Sequence, residues 1–285
     1  MRWTKQKIER YRKEGRGKGI GETYKSWLTT SDMPNDYDEP MQMTPYSWKH
    51  QRIYYLLSEL DIAYFYTLEW DDNVIDIREN FPLDQELLTK IVESYDINIR
   101  KQLPLFITTS FLITMKCDDI VARSVLREDD LKDPKQLQKI KIQQDYWKTL
   151  GIEWGIVSDK DINWTLVRNV EKLHHDRYCF HYNLDYDLCR LLINKIKTEK
   201  QEHPNLTISS LFRELANEWN NVTPGALFTC LRFLIANKVI TFNVYQEELT
   251  YHCKLKKLKI VHENFIAYEE QIENCFFTAH FLTPL

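Results

Sequence analysis

Between residues 103 and 157 the chain alternates strand, turn, strand, helix and strand so regularly that few folds accommodate it. Residues 103–115 are apolar and rich in β-formers, Asp118 and Asp119 supply a polar turn, and residues 120–126 return as a second strand. Two such runs joined by a short polar turn predict an antiparallel hairpin. Asp133 then stands at the N-cap of a helix, Pro134 at its first position and Gly151 just past its end. Residues 152–157 (IEWGIV) read as a short buried strand. A hairpin, a helix and a returning strand define an α/β domain with a mixed sheet.

The flanking segments extend this frame. Thr4 caps a helix that stops at Gly15, residues 30–46 form a Pro- and Asp-rich loop, and residues 47–67 read as a helix with Ile53, Leu56, Leu57 and Leu60 on one stripe. Residues 73–81 (NVIDIRENF) alternate as a half-buried strand. Asp161 or Asn163 starts a further helix ending near His175. Past about residue 178 the character changes. Three helices are predicted at 184–197, 209–219 and 224–237, the last capped by Thr223, followed by strands at 239–245 and about 252–261. Three helices and a β-ribbon resemble a winged-helix module at the level of fold analogy. The predicted domains are therefore residues 1–178 and 179–285.

A length of 285 residues suits this division. The longest uncharged stretch, residues 102–115, is too short for a membrane helix. The first residues, MRWTKQKIERYRKEG, hold no apolar h-region, so no secretory signal is expected. Six cysteines without a CxxC pair read as reduced thiols, which points to a soluble cytoplasmic protein.

Charge is distributed unevenly. Residues 1–25 carry nine Lys/Arg against Glu9, Glu14 and Glu22, a net +6, so the remaining chain is -4 minus 6, or -10. A basic arm on an acidic body suits a segment that neutralises phosphates, and a solvated amphipathic helix is the alternative. The arm leads into Gly15-Arg16-Gly17-Lys18-Gly19-Ile20-Gly21. Glycines alternating with cations let a backbone approach a phosphate surface, although the P-loop spacing is absent.

These segments together resemble the TnsA family, the endonuclease subunit of heteromeric cut-and-paste transposases. The resemblance runs through Lys13-Glu14-Gly15-Arg16-Gly17, Gly21, Trp27-Leu28, Leu56-Leu57-Ser58, Leu68-Glu69-Trp70, Val74, Asp76-Ile77-Arg78-Glu79 and Phe81-Pro82-Leu83. It resumes at Phe111-Leu112, Tyr146-Trp147, Trp154, Asp159-Lys160 and Ile162-Asn163, and weakly at residues 242–245. It implies a restriction-endonuclease-like N-terminal domain, a winged-helix-like C-terminal domain and Mg²⁺-dependent cutting of the non-transferred strand at the element's ends. It also implies work beside a DDE transposase, TnsB, and an AAA+ regulator, TnsC.

The resemblance further implies a cutting centre made of a helix Glu, an Asp on the first hairpin strand and a Gln-x-Lys on the second. Metal-assisted phosphodiester cleavage uses such carboxylates to hold Mg²⁺ and a cation beside the attacking water. Walked onto this sequence, Asp61 takes the Glu position, Ser110 the Asp, Ser124 the Gln and Leu126 the Lys. No lysine lies between Lys116 and Lys132 to rescue a slipped register. The expectation is a degenerate nuclease site, with Mg²⁺ needed only if activity persists. Lys13, Arg16, Lys18, Arg78 and Arg123 are the expected DNA contacts.

Other groupings read as less specific. Asp118, Asp119, Glu128, Asp129 and Asp130 read as a solvated turn and loop, and His174, His175, Cys179, His181 and Cys189 fit no standard zinc spacing. The helix at 224–237 has only Arg232 as a cation, which suits a protein partner better than base reading. Lys254, Lys256, Lys257 and Lys259 are either a phosphate-facing ribbon or a solvated edge. The expected function is a subunit that binds transposon ends with TnsB and TnsC. Alternatives are an active Mg²⁺ endonuclease using Asp61, or a scaffold beside a catalytic paralogue.

Overall fold

The computed structural model describes residues 4–33, 42–95, 106–177 and 186–261. The chain divides into two compact units, residues 1–167 and 168–285. The boundary expected at 178/179 lies outside the described residues.

In the first unit, β1 (Val74–Pro82), β2 (Thr108–Met115), β3 (Ile120–Val125) and β4 (Glu153–Val157) form one sheet in the order β1-β2-β3-β4. The first two pairings are antiparallel, with Ile77 opposite Ile113 and Leu112 opposite Ala122, and β3 pairs with β4 in parallel. Parallel neighbours need a crossover, and the helix over Pro134–Thr149 supplies it. The sheet starts where β propensity predicted, except that β2 begins at Thr108; residues 103–105 lie outside the described residues.

The described residues of the first unit also form α1 (Lys5–Lys13), α2 (Glu59–Trp70), α3 (Gln85–Glu93) and α4 (Pro134–Thr149), and α5 (Trp164–His174) runs across the division. Asp133 caps α4 by accepting from Lys135 N, and Asn163 caps α5 by accepting from Leu166 N at 2.9 Å. One core joins Leu83, Leu88, Leu112, Ala122, Ile142, Tyr146 and Trp147, so α3 and α4 share one packing layer with β2 and β3. Tyr64 of α2 meets Phe111 of β2 edge-on at 5.5 Å.

The helix expected over 47–67 starts only at Glu59. Residues before it pair back on themselves, Met43 with Leu56 and Tyr46 with Ile53, with Gln51 at φ 47° in the turn. Buried Glu69 holds this hairpin, accepting from Ser47 Oγ at 2.7 Å and Trp48 N at 2.6 Å. A buried carboxylate needs such donors, and the extended pairing of residues 43–56 brings them to Glu69. Helical periodicity was therefore shared by two different structures.

In the second unit, α6 (Tyr186–Glu202), α7 (Ile208–Glu218) and α8 (Pro224–Ala236) precede a two-stranded ribbon, β5 (Ile240–Thr241) with β6 (Lys259–Ile260). The predicted strand at 239–245 is cut to two residues. Asn169 Nδ2 takes the carbonyls of Val244 and Glu247 at 2.8 and 2.7 Å, and Leu249 N donates to Asn169 Oδ1 at 2.8 Å. A side chain thus satisfies the backbone that a longer ladder would have used. No helix among the described residues is long and apolar enough to cross a membrane.

Candidate nuclease site and nucleic-acid surface

The four positions singled out for cutting chemistry are all engaged in structural bonds. Asp61 lies in the first turn of α2, where its N–H donates to Ser58 Oγ at 3.1 Å and its Oδ2 accepts from that hydroxyl at 2.8 Å. This is a reciprocal helix cap. Ser110 Oγ accepts from Val125 N at 2.9 Å, taking a backbone donor just beyond the last β2–β3 pair, Phe111 with Arg123. Ser124 is 3% exposed; its hydroxyl donates to Gln143 Oε1 at 2.8 Å and accepts from Trp154 Nε1 at 3.1 Å. Gln143 Oε1 also accepts from Thr109 Oγ1 at 2.9 Å, which in turn accepts from Trp147 Nε1 at 2.9 Å. Leu126 contributes a backbone N–H to Val157 O at 3.0 Å and no side-chain donor or acceptor.

These residues do not fit a Mg²⁺ ion. Magnesium takes near-octahedral oxygen ligands and is normally held by one or two carboxylates. Here both serine hydroxyls serve a buried network or a strand backbone, and Asp61 supplies the single carboxylate of the set. Beside them lies a cleft of about 420 Å³ with Glu59 and Arg127 on its wall. Two ion pairs line it, Lys160 with Glu128 at 2.9 Å and Lys132 with Asp129 at 2.7 Å, together with Asp159.

The acidic run behaves as turn and loop. Asp118 occupies φ 63°, Asp119 Oδ2 accepts from Cys117 Sγ at 3.0 Å, and Asp130 Oδ2 accepts from Arg127 N at 3.1 Å. Among the described residues, one group of three places metal-capable atoms within 4.8 Å of one another: Glu199, Glu202 and His203 in the second unit. Cys179 and His181 lie outside the described residues. Buried His174 has its pKa lowered to about 3, first by burial and then by His175 and Arg177, so it stays neutral.

The five expected DNA contacts separate into two groups. Lys13 and Lys18 are exposed. Arg16 is held inward, with Nε on Glu14 at 2.7 Å, one terminal nitrogen on Asp32 at 2.6 Å and on Trp27 O at 3.2 Å, and its guanidinium 3.8 Å over the Tyr11 ring. Burial opposes ionisation of Asp32, but hydrogen bonds from Tyr11, Thr29 and Arg16 bring its carboxyl below its ordinary value. Arg78 lies 2.9 Å from Asp76 and donates to Thr114 Oγ1 at 3.2 Å, and Arg123 pairs with Glu153 at 2.5 Å.

The glycines serve packing. Gly17 sits at φ +74°, and a Cβ there would fall 2.3 Å from Pro82 Cγ; at Gly19 (φ +93°) it would fall 2.4 Å from Thr23 O. The loop is folded onto β1 and its own turn, so the close approach that glycine permits is to protein. Gly21 N donates to Asp76 Oδ1 at 3.0 Å, with His50 Nε2 at 3.7 Å from the same oxygen.

Sequence reasoning missed the strongest polar feature of this unit. Glu79, 1% exposed, receives Arg52 through two bonds of 3.0 and 2.6 Å, and Tyr55 N at 3.3 Å. Tyr24 OH donates to Glu79 O at 2.9 Å. The carboxylates of the Asp76-Ile77-Arg78-Glu79 block thus fasten the residue 43–57 hairpin and the glycine loop to β1. Period-2 alternation puts Asp76 and Glu79 on opposite faces of β1 and names no partner for either; only the folded hairpin and glycine loop supply the groups that bury them. Gln143 was equally hidden, one polar residue between the core positions Ile142 and Tyr146.

A mixed sheet whose hairpin carries these positions, preceded by a carboxylate-bearing helix and crossed over by α4, makes the first unit mixed α/β, an arrangement that fits an endonuclease fold. Residues 71–159 match the family described as TnsA-like endonuclease N terminal, and residues 161–244 match TnsA endonuclease C terminal. The Transposon Tn7 transposition protein TnsA of Escherichia coli is 30% identical over 243 residues, covering 84% of this chain and 86% of that protein. The chain belongs to the TnsA family, whose members are subunits of Tn7-type transposition systems.

Proposed function

We propose that this protein is a TnsA-like subunit that binds transposon-end DNA alongside a TnsB-like transposase and a TnsC-like regulator, without using the family's metal-dependent cutting centre. One observation carries the reading: Ser110, Ser124 and Leu126 supply neither a metal-binding carboxylate nor a cation, and both hydroxyls are engaged within the fold. The nearest cations, Arg123 and Arg127, flank the strand end rather than replacing the lysine. DNA affinity on this reading comes from the exposed side chains of the arm, Lys13 and Lys18 included, while Arg16, Arg78 and Arg123 hold structure. The second unit, with three helices and a short ribbon, supports a winged-helix-like partner-binding module.

The test is strand cleavage on transposon-end DNA with the cognate transposase, the regulator and Mg²⁺. The expected result is end binding with no cut of the non-transferred strand attributable to this chain. Metal-dependent cutting that disappears in Asp61→Ala would overturn the proposal and favour an active endonuclease built on Asp61.

A further inference from the structure

The segment Lys254-Leu255-Lys256-Lys257-Leu258-Lys259 concentrates four ammonium groups in six residues. Leu255–Lys257 forms a 3₁₀ turn, and Leu255 and Leu258, three residues apart, are both buried. Residues three apart eclipse in such a turn, so the leucines stack inward and the lysines are left around them facing solvent. All four lysines are exposed. The backbone beneath them is fixed: Leu255 N donates to Leu206 O at 2.9 Å, Lys256 N to Pro204 O at 3.0 Å, and Lys259 pairs with Thr241. Lys200 adds a fifth ammonium, donating to Leu258 O at 2.5 Å. Lys257 pairs with Glu247 at 2.6 Å; Lys254, Lys256 and Lys259 make no ion pair among the described residues.

Three arguments favour a phosphate backbone as the partner. Lysines that guard exposed strand edges have little to guard here, because β5 and β6 are two residues each. Every cation in the segment is lysine, a point charge suited to phosphate and depleted in protein–protein interfaces, where arginine is enriched. Base reading has no provider on α8, whose one cation, Arg232, is held by Asp176 and lies 5.1 Å over Phe228. A fixed display of lysines without a base-reading neighbour matches sequence-independent contact.

We propose that the lysine turn 254–259 of the second unit is a DNA-backbone surface that holds duplex DNA without reading its sequence. The proposal rests on the reading that the chain works on DNA, and it adds a contact separate from the arm. The test is the full-length chain carrying Lys254→Ala, Lys256→Ala and Lys259→Ala together, with binding to two duplexes of unrelated sequence followed by fluorescence anisotropy across a salt series. Each neutralised phosphate contributes about 0.9 to the slope of log affinity against log salt. The triple variant is expected to lose roughly 2–3 units of slope and roughly 100-fold in affinity near 0.1 M salt, equally on both duplexes. The matching triple Lys→Arg variant should bind as the parent does, with melting and circular dichroism unchanged in both.

A Lys13→Ala, Lys18→Ala chain measured in parallel separates the two ideas. Loss in that chain with none in the lysine-turn variant overturns this inference and leaves the arm reading standing. Loss in neither overturns both. A lysine-turn variant that binds DNA normally but no longer associates with the transposase or regulator identifies the turn as a protein-docking surface, and also overturns the inference.

Discussion

Replacing Arg52 by alanine tests the polar core of the first unit most severely. The guanidinium makes two bonds to Glu79, a third to Ile77 O at 2.8 Å, and lies 3.5 Å over the Tyr54 ring. Its removal leaves a fully buried carboxylate without its cation. Breaking such a pair from one side costs about 3–5 kcal/mol, because the orphaned charge stays desolvated. For a unit of this size about 1 kcal/mol moves the melting temperature by about 2–4 °C, so a drop of about 6–20 °C is expected. The pH dependence follows from the sign of the shift. Burial raises the Glu79 carboxyl above its ordinary value, and Arg52 opposes that rise. Without Arg52 the folded-state value rises further. The folded variant then holds a proton that the unfolded chain releases, so its deficit is smallest at low pH and grows as pH rises through the folded value. Thermal melts near pH 5 and pH 7.5, about half a unit and about three units above the unfolded carboxyl, should therefore differ, the variant losing more at the higher pH. Adding Glu79→Gln to Arg52→Ala should recover part of the loss at neutral pH. A single-variant loss below about 1 kcal/mol, typical of an exposed pair, or a loss independent of pH would show that Arg52 does not neutralise a desolvated Glu79.

Gly17→Ala should destabilise by about 1–3 kcal/mol through the clash with Pro82, whereas Gly151→Ala, at φ +67° with nothing within 4 Å, should cost about 1 kcal/mol; denaturant titration compares them. Ser124→Ala strips a partner from Trp154 Nε1 and should cost about 1–3 kcal/mol in the same titration, with no effect on DNA affinity. Arg16→Ala should lower the melting temperature while leaving the salt slope of DNA binding unchanged, because its guanidinium is held by Glu14, Asp32 and Trp27.

The sheet was legible because its signals are local. Alternation along residues 73–81, the Asp118-Asp119 turn and the Asp133-Pro134 cap each specify an element within a few residues of themselves. The candidate positions were named from the blocks around Leu56, Phe111 and Tyr146. The bonds those side chains make were not legible there. Ser110 bonds the N–H of a residue on the neighbouring strand, and Ser124 meets Gln143 and Trp154 from elements that come later in the chain. The residue 43–57 hairpin was misread as helix because its apolar spacing satisfies a helical stripe, and the carboxylate that decides otherwise, Glu69, lies on α2. The surroundings of Arg16 were hidden for the same reason: a cation beside glycines resembles a phosphate contact, and the sequence does not show that Asp32 and Tyr11 are brought to it.

If the proposed function is right, this chain holds no metal at Asp61, Ser110, Ser124 and Leu126. Titrating Mn²⁺ as a Mg²⁺ surrogate into the full-length chain, with calorimetry and electron paramagnetic resonance as readouts, addresses it directly. The parent and Asp61→Ala are expected to titrate identically, any weak uptake being removed instead by Glu202→Gln with His203→Ala. Stoichiometric binding that Asp61→Ala abolishes would contradict it.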